Sequence, residues 1–229
     1  MDQIDEVRTA PGTDLIIELI LCIWSLVLLV YEGLMSASKP TEAPQSFKPT
    51  KQQLIEAAGK TLPDVIGPGL SVLFCGINPG LYTAAVGHHF ARPGNRFWPA
   101  LYKSGFTDRL LSPFEERELL KLRLGVTNVV AHATAAAAEL TREDIVKGGG
   151  ALKAKVRRYQ PRVLAILGVG AYRQAFAQPK ATIGGQAERI GETRVWVLPN
   201  PSGLNANYQL PDLVGLFSEL RTAAKVQFK

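Results

Sequence analysis

Two short turn sequences hold the residues best suited to chemistry. Gly76-Ile77-Asn78-Pro79-Gly80-Leu81 follows the apolar run LSVLFC, and Pro199-Asn200-Pro201-Ser202-Gly203-Leu204-Asn205 follows a second apolar, β-rich run. Their polar members are amides and a hydroxyl, not titratable groups. An amide can orient water or a ligand through hydrogen bonds, but it cannot take a proton at neutral pH. Asn-Pro-Gly and Pro-Ser-Gly are also ordinary turn sequences, so either one alone is punctuation. Nearby lie Phe90, the pair His88-His89, the carboxylate of Glu139 and the bases Arg92, Arg96, Lys103 and Arg109. The four bases are grouped here as phosphate contacts. Two histidines with no third ligand at a recognisable spacing do not make a metal site, and they read as pocket rim or as surface contacts to a bound partner. Glu139 follows a run of alanines and reads as a turn-surface residue, with a minor claim to be an auxiliary carboxylate. Cys22 and Cys75 suggest neither a disulfide framework nor a metal cluster.

The elements that must position these turns alternate along the chain. Apolar β-rich runs predict strands at 70–75, 126–131, 163–167 and 194–198. Helices are expected over 52–59, 95–103, 113–123, 151–159, 171–177 and 210–224. Strands alternating with helices imply a mostly parallel sheet covered on both faces, a three-layer α/β/α architecture. Ligands in such sheets bind at the carboxyl ends of strands. The loops after Cys75, Val130, Leu167 and Leu198 are therefore the ones expected to carry a site.

Composition narrows the partner. The chain has 229 residues, 46% of them hydrophobic, enough for one full core, and a net charge of +6. Residues 1–35 carry six acids against Arg8 alone, a balance of −5, so the remainder carries +11. That excess attracts polyanions such as nucleic acid.

The beginning of the chain is of another kind. Residues 15–31, LIIELILCIWSLVLLVY, have nearly the length of a membrane-spanning helix. Acidic flanks argue against a secretory signal. Residues 1–34 are read as an apolar extension, either a membrane segment or, by preference, codons upstream of a start at Met35. Residues 35–51 are read as a Pro-, Ser- and Lys-rich leader, and residues 52–229 as the folded domain. The expected location is the cytoplasm, at the nucleoid. A membrane-anchored protein is the alternative that the apolar run alone suggests.

Taken together, the two turns carry a resemblance. GINPG at 76–80 and NPSGL at 200–204 resemble the motifs of mismatch-specific uracil-DNA glycosylases, the thymine-DNA glycosylase branch of the uracil-DNA glycosylase superfamily. The similarity continues collinearly through FARPGNRFW at 90–98, GFTDR at 105–109, YQP at 159–161 and AILG at 165–168. The resemblance implies a uracil-DNA glycosylase-like fold and a monofunctional, cofactor-free and metal-free hydrolase. Such an enzyme works as a monomer on double-stranded DNA, flipping a mismatched or damaged base and cutting its bond to the sugar. It assigns Asn78 to positioning the attacking water, and Gly76, Ile77, Pro79, Gly80, Thr83 and Phe90 to the base pocket, with Phe90 stacking on the flipped base. Asn200, Pro201, Ser202, Gly203, Leu204 and Asn205 form the implied wedge and opposite-base loop.

Several positions depart from the pattern. Asn205-Ala206 stands where relatives carry an Arg, which weakens the expected contact to the opposite base. Asn128 replaces a Lys, Ala131-His132-Ala133-Thr134 replaces an Asp-Arg pair before Pro-Thr or Ala-Thr, and Tyr82 replaces a smaller serine. A non-catalytic DNA-binding relative with the same groove and wedge is the alternative reading.

Overall fold

A run of apolar residues buried on both faces has no polar side to turn outward, so it settles at the centre of a parallel sheet. The computed structural model describes residues 47–226, and each predicted run is a strand in it. These are β1 (Val72–Gly76), β2 (Leu124–Asn128), β3 (Val163–Leu167) and β5 (Thr193–Leu198), with β4 (Gly184–Ile190) preceding β5. The order across the sheet is β2-β1-β3-β5-β4. The first four of these are mutually parallel, with Val72 opposite both Leu124 and Val163, and Val163 opposite Arg194. β4 runs antiparallel to β5 at the edge.

Alternation along the strands divides the core into two. Val72 and Phe74 of β1 face one cluster with Phe97, Leu101, Phe106 and Phe217, while Leu73 and Cys75 face another with Leu152, Val156 and Tyr172. α3 (Phe97–Lys103), α4 (Glu118–Lys121) and α7 (Leu210–Ala223) supply the first layer, and α5 (Arg142–Tyr159) and α6 (Val169–Ala175) the second. α1 (Lys51–Glu56) and α2 (Leu81–Val86) complete the helices. Phe74 anchors the first layer, edge-on to Phe97 and Phe106 at 5.4 Å and stacked on Phe217 at 5.8 Å. The three-layer expectation holds.

Boundaries differ where tertiary contacts override local signals. α1 starts at Lys51, one residue before the expected start, because Thr50 accepts the Gln53 N–H while the Gln53 side chain accepts the Thr50 N–H. The 113–123 helix breaks into a 3₁₀ turn, Pro113–Glu115, and the short α4, and the buried Glu116 lies at the break. β2 lies two residues upstream of its predicted start and ends at Asn128, opposite Gly76 of β1. Neither α2 nor β4 was expected. The β4 sequence GGQAERI has no apolar run because an edge strand pairs on one side and exposes alternate residues.

The largest difference is α5, which starts at Arg142 instead of near 151 and runs through Gly148, Gly149 and Gly150. Three glycines read as a breaker, but two of them permit close approach. A Cβ on Gly148 would lie 2.4 Å from the Val129 carbonyl oxygen, and one on Gly149 would lie 2.5 Å from that of Ala175. At Gly150 nothing lies within 4 Å. Gly149→Ala is therefore expected to destabilise the fold by about 1–3 kcal/mol through overpacking. Gly150→Ala should stabilise it by up to about 1 kcal/mol through helix propensity. Urea denaturation of both variants checks the opposed signs.

Among the described residues no helix is long and apolar enough to cross a membrane. The apolar run at 15–31 lies outside those residues.

Candidate active site

Three of the four predicted loops, with Leu167 at the end of β3, converge on one cavity of about 400 Å³ at the carboxyl ends of the parallel strands. The turn after β1 supplies Gly76 through Gly80, and α2 adds Thr83. Asn128 and the segment from Thr134 to Ala137 come from the β2 side, Leu167 ends β3, and Asn200, Ser202, Leu204 and Asn205 follow β5. Pro201 and Gly203, also assigned from sequence, belong to the same loop but do not line the cavity.

The turn after β1 is held by its carbonyls. Those of Gly76, Ile77 and Pro79 accept N–H groups of Val129, Val130 and Thr134 at 2.9, 2.9 and 3.2 Å. Among the described residues, no backbone carbonyl takes the N–H of Ile77 or Asn78. Gly76 is the floor. A Cβ there would lie 2.5 Å from Asn128 Oδ1 and 3.5 Å from the Phe90 ring, so only glycine lets both side chains close over it.

Hydrogen bonding determines which way the Asn78 amide faces. Its Nδ2 donates to the His132 carbonyl at 3.3 Å and to Thr134 Oγ1 at 2.8 Å. The carbonyl can only accept. Thr134 gives its single hydroxyl proton to the Ala136 carbonyl at 2.8 Å, so it too must accept from Asn78. The nitrogen is thus fixed toward the wall, and Oδ1 is left as an acceptor at the cavity.

Phe90 borders the cavity with its backbone in the left-handed region, φ 55°. This conformation costs a non-glycine residue on the order of 1–3 kcal/mol. Its ring stacks on Phe97 at 4.1 Å, and the N–H of the preceding His89 donates to Glu116 Oε2 at 2.7 Å. Glu116, which sequence reasoning passed over, also meets His88 Nδ1 at 3.0 Å. His89 is 1% exposed and forms part of the wall, so it is neither rim nor surface contact. Its Nε2 faces the Pro63 carbonyl at 3.0 Å, and an acceptor there places the ring proton on Nε2. Burial depresses the pKa of His89, outweighing the Glu116 charge. Between the folded and unfolded pKa values the unfolded chain binds the extra proton. Stability should therefore fall as pH drops below about 6.5, by at most about 1.4 kcal/mol per unit. Urea unfolding between pH 7.5 and 5.5, with His89→Gln as the less pH-sensitive comparison, measures this.

The four bases grouped from sequence separate in the fold. Arg92 is exposed at the cavity. Arg109 pairs with Glu115 at 2.7 Å, Lys103 closes the far end of α3, and the Arg96 guanidinium is bound to loop carbonyls. Glu139 is not in the lining, and its carboxylate accepts the Ala135 N–H at 3.1 Å. Asn205 is likewise committed within its own loop, donating from Nδ2 to the Asn200 carbonyl at 2.9 Å and accepting the Asn207 N–H at 3.1 Å. Asn128 and Thr134 were not assigned to the site from sequence. Asn128 stood inside the strand expected at 126–131 and reaches a carboxyl end only because β2 spans Leu124–Asn128, whereas Thr134 had no local signal. Among the described residues the lining thus contains no carboxylate, and its titratable side chains are His89 and Arg92. It can orient and hydrogen-bond, but it offers no strong general base.

The fold is similar to the solution NMR structure of a protein from Methanosarcina acetivorans, provisionally assigned as a uracil DNA glycosylase. Identity is 17% over 71% of this chain and 98% of that one, with a TM-score of 0.50, a likeness that bears on fold alone. Residues 63–222, well over half the chain and including every cavity residue, match the family described as the Uracil DNA glycosylase superfamily, and to that superfamily this chain belongs.

Proposed function

We propose that this protein excises uracil from G·U-type mismatches in duplex DNA by flipping the base and hydrolysing its N-glycosidic bond. The observation that carries the reading is the Asn78 amide, fixed with its acceptor oxygen at a cavity to which the described residues bring no carboxylate. Water accepted at Oδ1 is aimed at the sugar C1′. Its oxygen forms the new bond to C1′ as the C1′–N1 bond breaks, the electron pair leaves on N1 of uracil, and the water proton passes to solvent. With no strong base in the lining, the rate comes from orientation and from stabilising the uracil anion. The unclaimed N–H groups of Ile77 and Asn78 are suited to that anion.

Phe97 covers one face of Phe90, leaving the other for a stacked base, and Asn128 offers an amide to the base edge. Leu204, 75% exposed, is the wedge that fills the gap left by the flipped nucleotide. With Asn205 committed to its own loop and the Gly203 and Asn205 carbonyls bound by Arg96, the Gly203 N–H and the Leu204 carbonyl are the backbone groups suited to meet the opposite guanine. A mismatched base costs less to extrude than a paired one, which favours G·U over A·U before any pocket contact forms.

The test is excision by the full chain from labelled duplexes carrying one G·U, A·U or G·T pair. Faster cleavage at G·U than at A·U supports mismatch specificity. Equal rates would reduce the reading to a general uracil glycosylase, and no cleavage with DNA binding retained would make the protein a non-catalytic relative.

A further inference from the structure

Arg96 is bound to the wedge loop at four points. Its Nη1 donates to the carbonyls of Asn205 at 3.0 Å and Tyr208 at 2.5 Å, its Nη2 donates to that of Gly203 at 3.1 Å, and its backbone N–H donates to that of Pro201 at 2.9 Å. The guanidinium thus spans six residues of one loop with charge-assisted bonds. A second contact lies beside it. A Cβ on Gly203 would lie 2.5 Å from the Gly94 carbonyl oxygen, so the two loops touch backbone to backbone. At its other side Arg96 caps α3, whose next residues, Phe97 and Trp98, are buried in the core. Hydrogen bonds inside the loop, from Ser202 N–H to Asn200 Oδ1 and from Asn205 N–H to the Ser202 carbonyl, complete the frame.

From this geometry we infer that Arg96 is a positioning residue for the wedge and not a phosphate contact. It ties Leu204 to the core through α3, so the loop is shaped before DNA arrives and little ordering entropy is lost on insertion. The inference rests on the wedge role proposed for Leu204, but it does not depend on catalysis.

Binding separates it from the alternatives. Full-chain protein is titrated by fluorescence anisotropy against a duplex carrying an uncleavable tetrahydrofuran abasic analogue opposite G, and against the same duplex unmodified, across a salt series. Only the gapped duplex rewards the wedge. Arg96→Ala is expected to reduce the preference for the abasic duplex about tenfold, the worth of part of a buried Leu, with the salt slope on intact duplex unchanged. A phosphate contact would instead weaken both duplexes equally and lower the slope by about 1, and that result overturns the inference. So does an unchanged preference. Arg96→Lys keeps the charge but not the fork that reaches three carbonyls. It should retain the salt slope and still lose preference, which keeps the test open if the alanine variant does not fold. Gly203→Ala, displacing the same loop from its other side, should give the same loss. Because the readout is binding, it is distinguishable from a failure of the excision reading.

Discussion

Asn78→Ala is expected to slow single-turnover excision from a G·U duplex by about 10²–10³-fold, with affinity for the abasic duplex held within about twofold. The size follows from what the amide does. Among the described residues the titratable lining groups are His89 and Arg92, and no carboxylate stands ready to activate water in its place. The loss is one of orientation, and a misplaced nucleophile alone can cost about 10²-fold. Fold stability should barely move, because Asn78 is half-buried and its two acceptors, the His132 carbonyl and Thr134 Oγ1, are reachable by water from the cavity once the amide is gone. Quench-flow or gel-resolved single-turnover kinetics, paired with anisotropy, separates the two quantities. A loss below about fivefold would remove Asn78 from the water-positioning role.

Leu204→Ala is expected to cut duplex excision by roughly 10- to 100-fold while barely affecting stability. A side chain 75% exposed contributes little to folding. Inserted between bases, it buries most of a leucine, worth about 1.5–3 kcal/mol. That energy offsets the few kcal/mol needed to unpair and unstack the target nucleotide. A single-stranded uracil substrate has no opposite strand to replace, so the deficit should be much smaller there. The ratio of duplex to single-strand excision is the number to measure, and equal losses on both substrates would exclude a wedge.

Much of the fold was legible because its signals are local. LSVLFC and VLAIL are apolar throughout, and a strand buried on both faces needs no other mark. The alternation of strands with helices implied parallel pairing, and parallel pairing implied that the loops at the carboxyl ends would meet. β4 was not legible, since its half-exposed residues carry no strong period. Nor was the first half of α5. Glycines that break an isolated helix are tolerated where the helix presses against Val129 and Ala175.

The site divides along the same line. By itself, the sequence determined the four parallel strands, the order of their loops and the placement of GINPG and NPSGL at strand ends. It also determined that the first loop offers an amide where a carboxylate would make a base. The tertiary structure alone decided which way that amide faces, because the deciding partner, Thr134, lies 56 residues away. It likewise turned Arg96 and Asn205 inward to bind backbone and placed buried His89 in the cavity wall. Residue type and spacing report what a side chain can donate or accept. The partner that takes each bond is set by chain segments far apart in sequence, which meet only when the sheet assembles.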